Sequence, residues 1–229
     1  MSMQHAWQTQ LQQYAQEHNI NEAGQTFFLT YYEDVDSEDL SLLPVSDLVA
    51  AARSHQRTAA MPRLPGQSHV EILQQTPEAE FASNETVINI VFDDLPFLID
   101  SLIMLLNRPP QQSGEVKVDM QLLVHPIFTI KRNENGELQS WSRSRSTDNG
   151  RESWVQIRTN KLSDVHASQL KAEIENTLST LYKVVNDEGL MRRALSQVTT
   201  PVQQQWHQDN EEVLAFLNWL SANPFLFLA

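Results

Sequence analysis

A chain of 229 residues, 41% apolar and 20% charged, has the makeup of a globular protein with room for one large or two small cores. Its 29 acidic and 16 basic residues leave a net charge of −13, which repels a phosphate backbone and sets nucleic acid aside as a partner. With no cysteine, no signal-peptide pattern in MSMQHAWQTQLQQ and no apolar run of membrane-spanning length, the chain reads as cytoplasmic, without disulfides or thiol chemistry.

Trp7, Leu11 and Tyr14 recur at helical spacing and predict a first helix over 3–17. Asn21 is placed to cap a second, in which Gly24, Phe27, Phe28, Tyr31, Tyr32 and Val35 repeat at three and four as a core face. A third helix carries Val45, Leu48, Val49 and Ala52 on one side and ends before the MPRLPG break at 61–66. A short strand is expected at 68–73, then the polar link QQTPEAEFASNE.

The stretch TVINIVFDDLPFLIDSLIMLLNR, 86–108, reads as strand, tight turn and helix. Ile88, Ile90 and Phe92 share one face of the strand, and Val87 and Val91 share the other with Asn89, so a central position is expected. Asp93 or Asp94 is expected to cap the helix, with Pro96 in its first turn. The helix stops at Asn107-Arg108-Pro109-Pro110, and only Asp100 and Ser101 interrupt its apolar surface, which predicts burial on nearly all sides.

Beyond the prolines, Val118, Met120, Leu122 and Val124 alternate as a half-buried strand that continues through His125-Pro126 into 127–130. Asn133 to Gly136 is a hairpin signal returning the chain into 138–141, and another strand, 154–158, follows the Asp148-Asn149-Gly150 turn. Ser163 or Asp164 can cap a long helix with the stripe Leu170, Ile174, Leu178, Leu181 and Val185, ending at 186–189. Strand, helix, strands, helix is the order of an α+β sandwich, with helices over one face of a mainly antiparallel sheet. Thr200-Pro201 is expected to open a last helix with Trp206, Val213, Phe216, Leu217 and Leu220 facing inward. The apolar end NPFLFLA suggests a piece of something longer, since exposing such side chains forfeits roughly 1.5–3 kcal/mol apiece. Three regions result: a helical segment 1–66, the α+β domain 67–189, and 190–229, a helix and the start of a further segment.

Six scattered glycines build neither a dinucleotide fingerprint nor a phosphate loop, and the seven histidines never stand three or four apart. No catalytic, cofactor-binding or metal-ligating residue is assigned. Three features carry a possible site beside a plainer structural reading. Asp93-Asp94 before an apolar helix can hold an amino group, or can simply cap and turn. His125-Pro126 can supply a proton-transfer group, or can be a half-buried histidine at a bend. Arg143, Arg145 and Arg151 can form an anion patch, or a solvated hairpin edge.

DDLPFLIDSLIMLLNR with the preceding TVINIV, the HPI at 125–127 and the RESW at 151–154 resembles the amino-terminal region of the large, NAD-specific bacterial glutamate dehydrogenases. YYEDVDSEDLSLLPVSDLVAAARSH, PRLPGQSHVEI and FLNWLSANPFLFL match it in the same order, so the likeness spans nearly the whole chain from about residue 27. The resemblance implies an ACT-like βαββαβ sandwich with flanking α-helices, a class of module that pairs with itself and binds amino acids near the turn between its first strand and first helix. That turn carries Asp93, Asp94, Leu95 and Pro96 as candidate effector-binding residues. It also implies that catalysis and NAD belong to a distant part of the full-length enzyme, with no cofactor in this segment. The expected partners are the catalytic part of the same chain, further copies in a homo-oligomer and an amino-acid effector, with no membrane. A stand-alone amino-acid-binding ACT-type sensor is the alternative.

Overall fold

Helices come first. The computed structural model describes residues 6–74, 85–109, 117–143, 150–205 and 211–222, and the chain divides into two units, Met1–Leu178 and Ser179–Ala229. In the first unit, α1 (Ala6–Glu17), α2 (Glu22–Tyr31), α3 (Ser37–Ser41) and α4 (Val45–Ala60) precede any strand. Asn21 caps α2 as expected, its Oδ1 accepting the Gly24 N–H at 2.9 Å, and Asp36 caps α3 by accepting from the Glu38 N–H. The α3 turn is an element that the periodicity did not reveal. Phe27, Phe28, Tyr31 and Tyr32 are all buried, with Trp7 set edge-on against Tyr32 at 5.7 Å.

The strands are β1 (His69–Gln74), β2 (Glu85–Asp93), β3 (Met120–Val124), β4 (Ile127–Arg132), β5 (Leu138–Ser142) and β6 (Gly150–Asn160). They form one sheet in the order β1-β2-β6-β4-β5, with β3 also paired to β6, and every pairing is antiparallel. β2 is central, as its two apolar faces require. β3 and β4 share β6 end to end, and the His125-Pro126 break falls between them, where the Trp154 N–H donates to the Pro126 carbonyl at 3.0 Å. The Asn133–Gly136 turn closes the β4–β5 hairpin, with Asn133 Oδ1 accepting from the Asn135 and Glu137 N–H groups. Gly136 has φ +81°, and a Cβ there would stand 2.7 Å from the backbone of Arg63, whose N–H donates to the Gly136 carbonyl. The edge beside β2 is supplied from the amino-terminal side, by β1, and among the described residues no strand follows the long helix to take it.

Helices α5 (Leu98–Leu106) and α6 (Asp164–Gln205) complete the sandwich, with Ser163 Oγ accepting the His166 N–H at the head of α6. Both faces of the sheet are covered, where helices on one face alone were expected. The physical reason lies in the strand alternation. On the first face Val87, Asn89 and Val91 of β2 stand opposite Arg158, Gln156 and Trp154 of β6. This face receives α4 through an apolar cluster, in which Leu48, Val49 and Ala52 join Val91 and Trp154, and through a set of buried polar groups. Asn89 Nδ2 donates to Ser54 Oγ at 2.9 Å, and Gln156 Nε2 donates to Asn89 Oδ1 and to the Ala51 carbonyl. Thr58 donates to Glu71, and Arg158 Nε donates to Glu85 at 2.9 Å with Asp47 3.9 Å from its Nη2. His55 bridges Tyr31 Oη (2.7 Å) and the Ile90 carbonyl (3.1 Å); the carbonyl requires a donor, so Nε2 carries the proton and Nδ1 accepts from the tyrosine.

The second face is apolar. Ile88, Ile90 and Phe92 lie beside Val155 and Ile157, all with essentially no exposure. The stripes of α5 (Leu98, Leu102, Leu105, Leu106) and of α6 (Leu170, Ile174, Leu178) are buried as well, and among the described residues of this unit they are the apolar helix faces available to cover it. The lead-in to α6 is tied to that face, Leu162 N donating to Thr86 Oγ1 and Gln74 Nε2 to the Leu162 carbonyl. α5 is not buried on nearly all sides as its composition suggested: Met104 is 73% exposed, because one side of the helix points away from the sheet.

In the second unit the helix does not stop at 186–189. α6 continues to Gln205, since one glycine costs a helix only about 1 kcal/mol and the Glu188–Arg192 pair spans it at 2.6 Å. The last helix, α7 (Glu211–Ala222), therefore opens at Glu211 and not at Thr200-Pro201. Val213 and Phe216 were expected to face inward and are about half exposed, with Phe216 stacked on Trp219 at 6.1 Å. Trp206 and the NPFLFLA end lie outside the described residues.

Candidate functional site

Asp93 is the last residue of β2 and pairs in register with Glu152 on β6, so the strand ends place two carboxylates side by side. Such a pair persists only with cations between them. Arg63, from the break after α4, supplies one: its Nη2 donates to Asp93 Oδ1 and Glu152 Oε1, both at 2.7 Å, and its Nε donates to Glu152 Oε1 at 3.1 Å. Its Nη1 donates to the Leu64 and Gln67 carbonyls. Arg132, at the end of β4, holds Glu152 from the other side through Nε (2.7 Å) and Nη2 (3.0 Å), and donates also to the carbonyls of Ala59, Met61 and Gly136. Burial by itself would raise the Glu152 carboxyl, but hydrogen bonds and charge from Arg132 and Arg63 outweigh it and hold the group below its usual range.

The second Asp93 oxygen accepts the Gly66 N–H at 2.6 Å, and Asp93 does not cap α5. Neither does Asp94. Its N–H donates to the Arg151 carbonyl, its Oδ1 accepts from Ser153 Oγ at 3.0 Å, and its Oδ2 lies 3.1 Å from Arg151 Nη2. The helix instead starts from Phe97, a left-handed residue (φ 63°, ψ 8°) with no side-chain cap, and Pro96 lies in the turn before it. Leu95 is half-buried, its carbonyl accepting the Leu98 N–H, while Pro96 and the Phe97 ring are exposed. A bulky side chain in this conformation costs roughly 1–2 kcal/mol. The four residues named from the sequence thus stay together at one turn, but both aspartates point into the protein.

A recess of about 250 Å³ opens beside them, lined by Arg63, Asp93, Arg132, Arg151 and Glu152 among others. Its two buried arginines face two carboxylates, and every one of their N–H groups is already directed at a protein oxygen. The cluster is a charge-neutral clamp joining the α4–β1 link, the β4–β5 hairpin and β6. None of its members except Asp93 and Arg151 was singled out in the sequence; charged residues at the ends of otherwise apolar strands, such as Arg132 and Glu152, are the signal that was there to read.

His125 is half-buried at the break between β3 and β4. Burial lowers its pKa, with Asp94 and Asp34 acting against that shift and Arg143 with it, and its Nε2 has no hydrogen-bond partner among the described residues. Arg143 donates to Glu33 at 3.2 Å and to Asp34 at 2.6 Å, tying the end of the hairpin to the segment after α2. The three arginines form no common patch: Arg143 and Arg151 have separate carboxylate partners, and Arg145 lies outside the described residues. Among the described residues no three His, Asp or Glu side chains come together as a metal site, and no helix is long and apolar enough to cross a membrane.

An antiparallel sheet with a strand–turn–helix at its centre and helices packed on it defines an ACT-like α+β module. Residues 27–174, more than half of the chain, match the family described as glutamate dehydrogenase, ACT1 domain, and the chain belongs to that family. It is similar to the NAD-specific glutamate dehydrogenase of Halomonas elongata, 26% identical over 215 residues that cover 89% of this chain and 13% of the relative. It is also similar to the NAD-specific glutamate dehydrogenase of Pseudomonas aeruginosa, 25% identical over 242 residues covering 98% of this chain and 14% of the relative. The chain therefore spans only about one-seventh of the curated relatives it matches.

Proposed function

We propose that this chain is a non-catalytic assembly segment of an NAD-dependent glutamate dehydrogenase, the cytoplasmic enzyme that would convert L-glutamate, NAD and water into 2-oxoglutarate, ammonia and NADH. One observation carries the structural role over a sensing one: the carboxylates at the strand–helix turn are engaged internally, Asp93 with Arg63 and Gly66, Asp94 with Ser153 and Arg151. A carboxylate so held has little left to offer an amino group. NAD belongs, in this reading, to the catalytic part of the same chain, which together with further copies of the protein would be what the segment contacts.

The test uses the full-length enzyme. Asp93→Asn with Asp94→Asn should lower thermal stability or weaken the oligomer in sedimentation, and leave any response of NAD reduction to added amino acids unaltered. Loss of that response with assembly intact would overturn the proposal in favour of effector binding, for which the exposed Pro96 and Phe97 at the same turn speak. Glutamate turnover by the isolated 229-residue chain would overturn the non-catalytic reading altogether.

A further inference from the structure

A second recess, of about 540 Å³, lies between the start of α2, the outer side of α4 and the end of β5, away from the strand–helix turn. That volume falls within the range of small-molecule sites. Its floor is aromatic. Phe27 and Phe28 are buried there, and Trp141 stands edge-on to Phe27 at 5.4 Å and to Phe128 at 5.1 Å, so the indole is held on two sides as a rigid wall. Arg53 lies over the Phe28 ring, its guanidinium carbon 5.9 Å from the centroid.

Stacking uses the flat face of a guanidinium and leaves its N–H groups pointing outward in the plane, free to grip a carboxylate with two parallel bonds. Arg53 makes no hydrogen bond or ion pair among the described residues. The Gln56 and Asn19 side chains, which also line the recess, are likewise uncommitted. No acidic side chain lines it, although the protein as a whole carries a charge of −13. A single unpaired cation above an aromatic floor, on a surface that elsewhere repels anions, has the complementarity of a site for one negative group attached to a flat apolar body.

We propose that this recess binds a small organic carboxylate with a ring-sized apolar body, its carboxylate on Arg53 and its ring against Trp141. The site is independent of the Asp93–Pro96 turn, so it stands or falls separately from the assembly role. Phenylacetate is the probe, with benzyl alcohol as its uncharged counterpart, followed through the indole N–H resonance of Trp141 in the 229-residue chain and assigned with Trp141→Phe. Phenylacetate should shift that resonance saturably at millimolar concentration, and both benzyl alcohol and the Arg53→Gln variant should bind at least about tenfold more weakly. Arg53 is exposed, so the variant should otherwise keep the wild-type spectrum. The absence of a saturable shift, an equal response to benzyl alcohol, or undiminished binding by Arg53→Gln would each overturn the proposal; the benzyl alcohol comparison decides even if the variant fails to fold.

Discussion

The two faces of the sheet are held by different physics. On the second face, Ile88, Ile90, Val155 and Ile157 are buried, as are the leucine stripes of α5 and α6, and such burial asks only for a well-filled apolar surface. On the first, α4 adds directed bonds to its apolar contact with Val91 and Trp154: Ser54 with Asn89, His55 with the Ile90 carbonyl, Thr58 with Glu71, the Ala51 carbonyl with Gln156, and Asp47 near Arg158. The apolar face supplies non-directional burial; the polar face sets the position of the amino-terminal helices on the sheet, because a shift of one residue would strand several buried groups.

The polar side should be most sensitive at the clamp that closes it. Glu152→Ala leaves Arg63 and Arg132 facing each other in a buried site, and should cost about 3–5 kcal/mol in urea unfolding. Next comes Asn89→Ala, which leaves one Gln156 Nε2 hydrogen without an acceptor, the other still on the Ala51 carbonyl, and removes the donor to Ser54; a loss of about 1–3 kcal/mol is expected. Ile88→Val on the opposite face should cost only about 0.5–1.5 kcal/mol, and a larger loss there than at Asn89 would reverse the contrast between the faces.

Acid sharpens it further. Burial lowers the His55 pKa from 6.5 to about 3, so between those values the unfolded chain binds a proton that the folded one refuses. Stability is full above pH 6.5 and should fall with acidification by up to about 1.4 kcal/mol per pH unit. The depressed Glu152 carboxyl adds a loss of the same sign at lower pH, as it is protonated in turn. His55→Gln should flatten the slope between pH 6.5 and 4.5 and leave the more acidic part; an unchanged slope would mean that the imidazole is not the group responsible. The smallest effect is expected at the rim, where Arg143→Ala breaks contacts to exposed Glu33 and Asp34 and should change stability by less than about 1 kcal/mol.

Much of the sandwich was legible because its signals are local. The β-branched run of β2, the Asn135-Gly136 turn and the caps at Asn21 and Ser163 each depend on neighbours within a few residues. The candidate site was legible only as a place. Asp93 and Asp94 have the chemistry of helix caps, but the groups that won them, Arg63, Gly66, Arg151 and Ser153, come from 27 to 59 residues away, and no spacing rule reaches that far. The same distance hid the α4 seam. Asn89 reads as a lone polar interruption in a strand until Gln156 and Ser54 arrive beside it. Exposure of one side of α5 was missed for a different reason, since composition tells how apolar a helix is and not how many neighbours it has.

The order in which the strands follow one another has a consequence for how the protein is made. β6 is the hub, bonded to β2 on one side and to β3 and β4 on the other, yet among the described strands it is the last to leave the ribosome. Until it is synthesised, β2 has only β1 for company, and its other edge waits open through roughly a third of the unit's translation. The sheet should therefore form late and all at once, behind helices that are already made, and a nascent chain halted before residue 150 should be the species that chaperones hold.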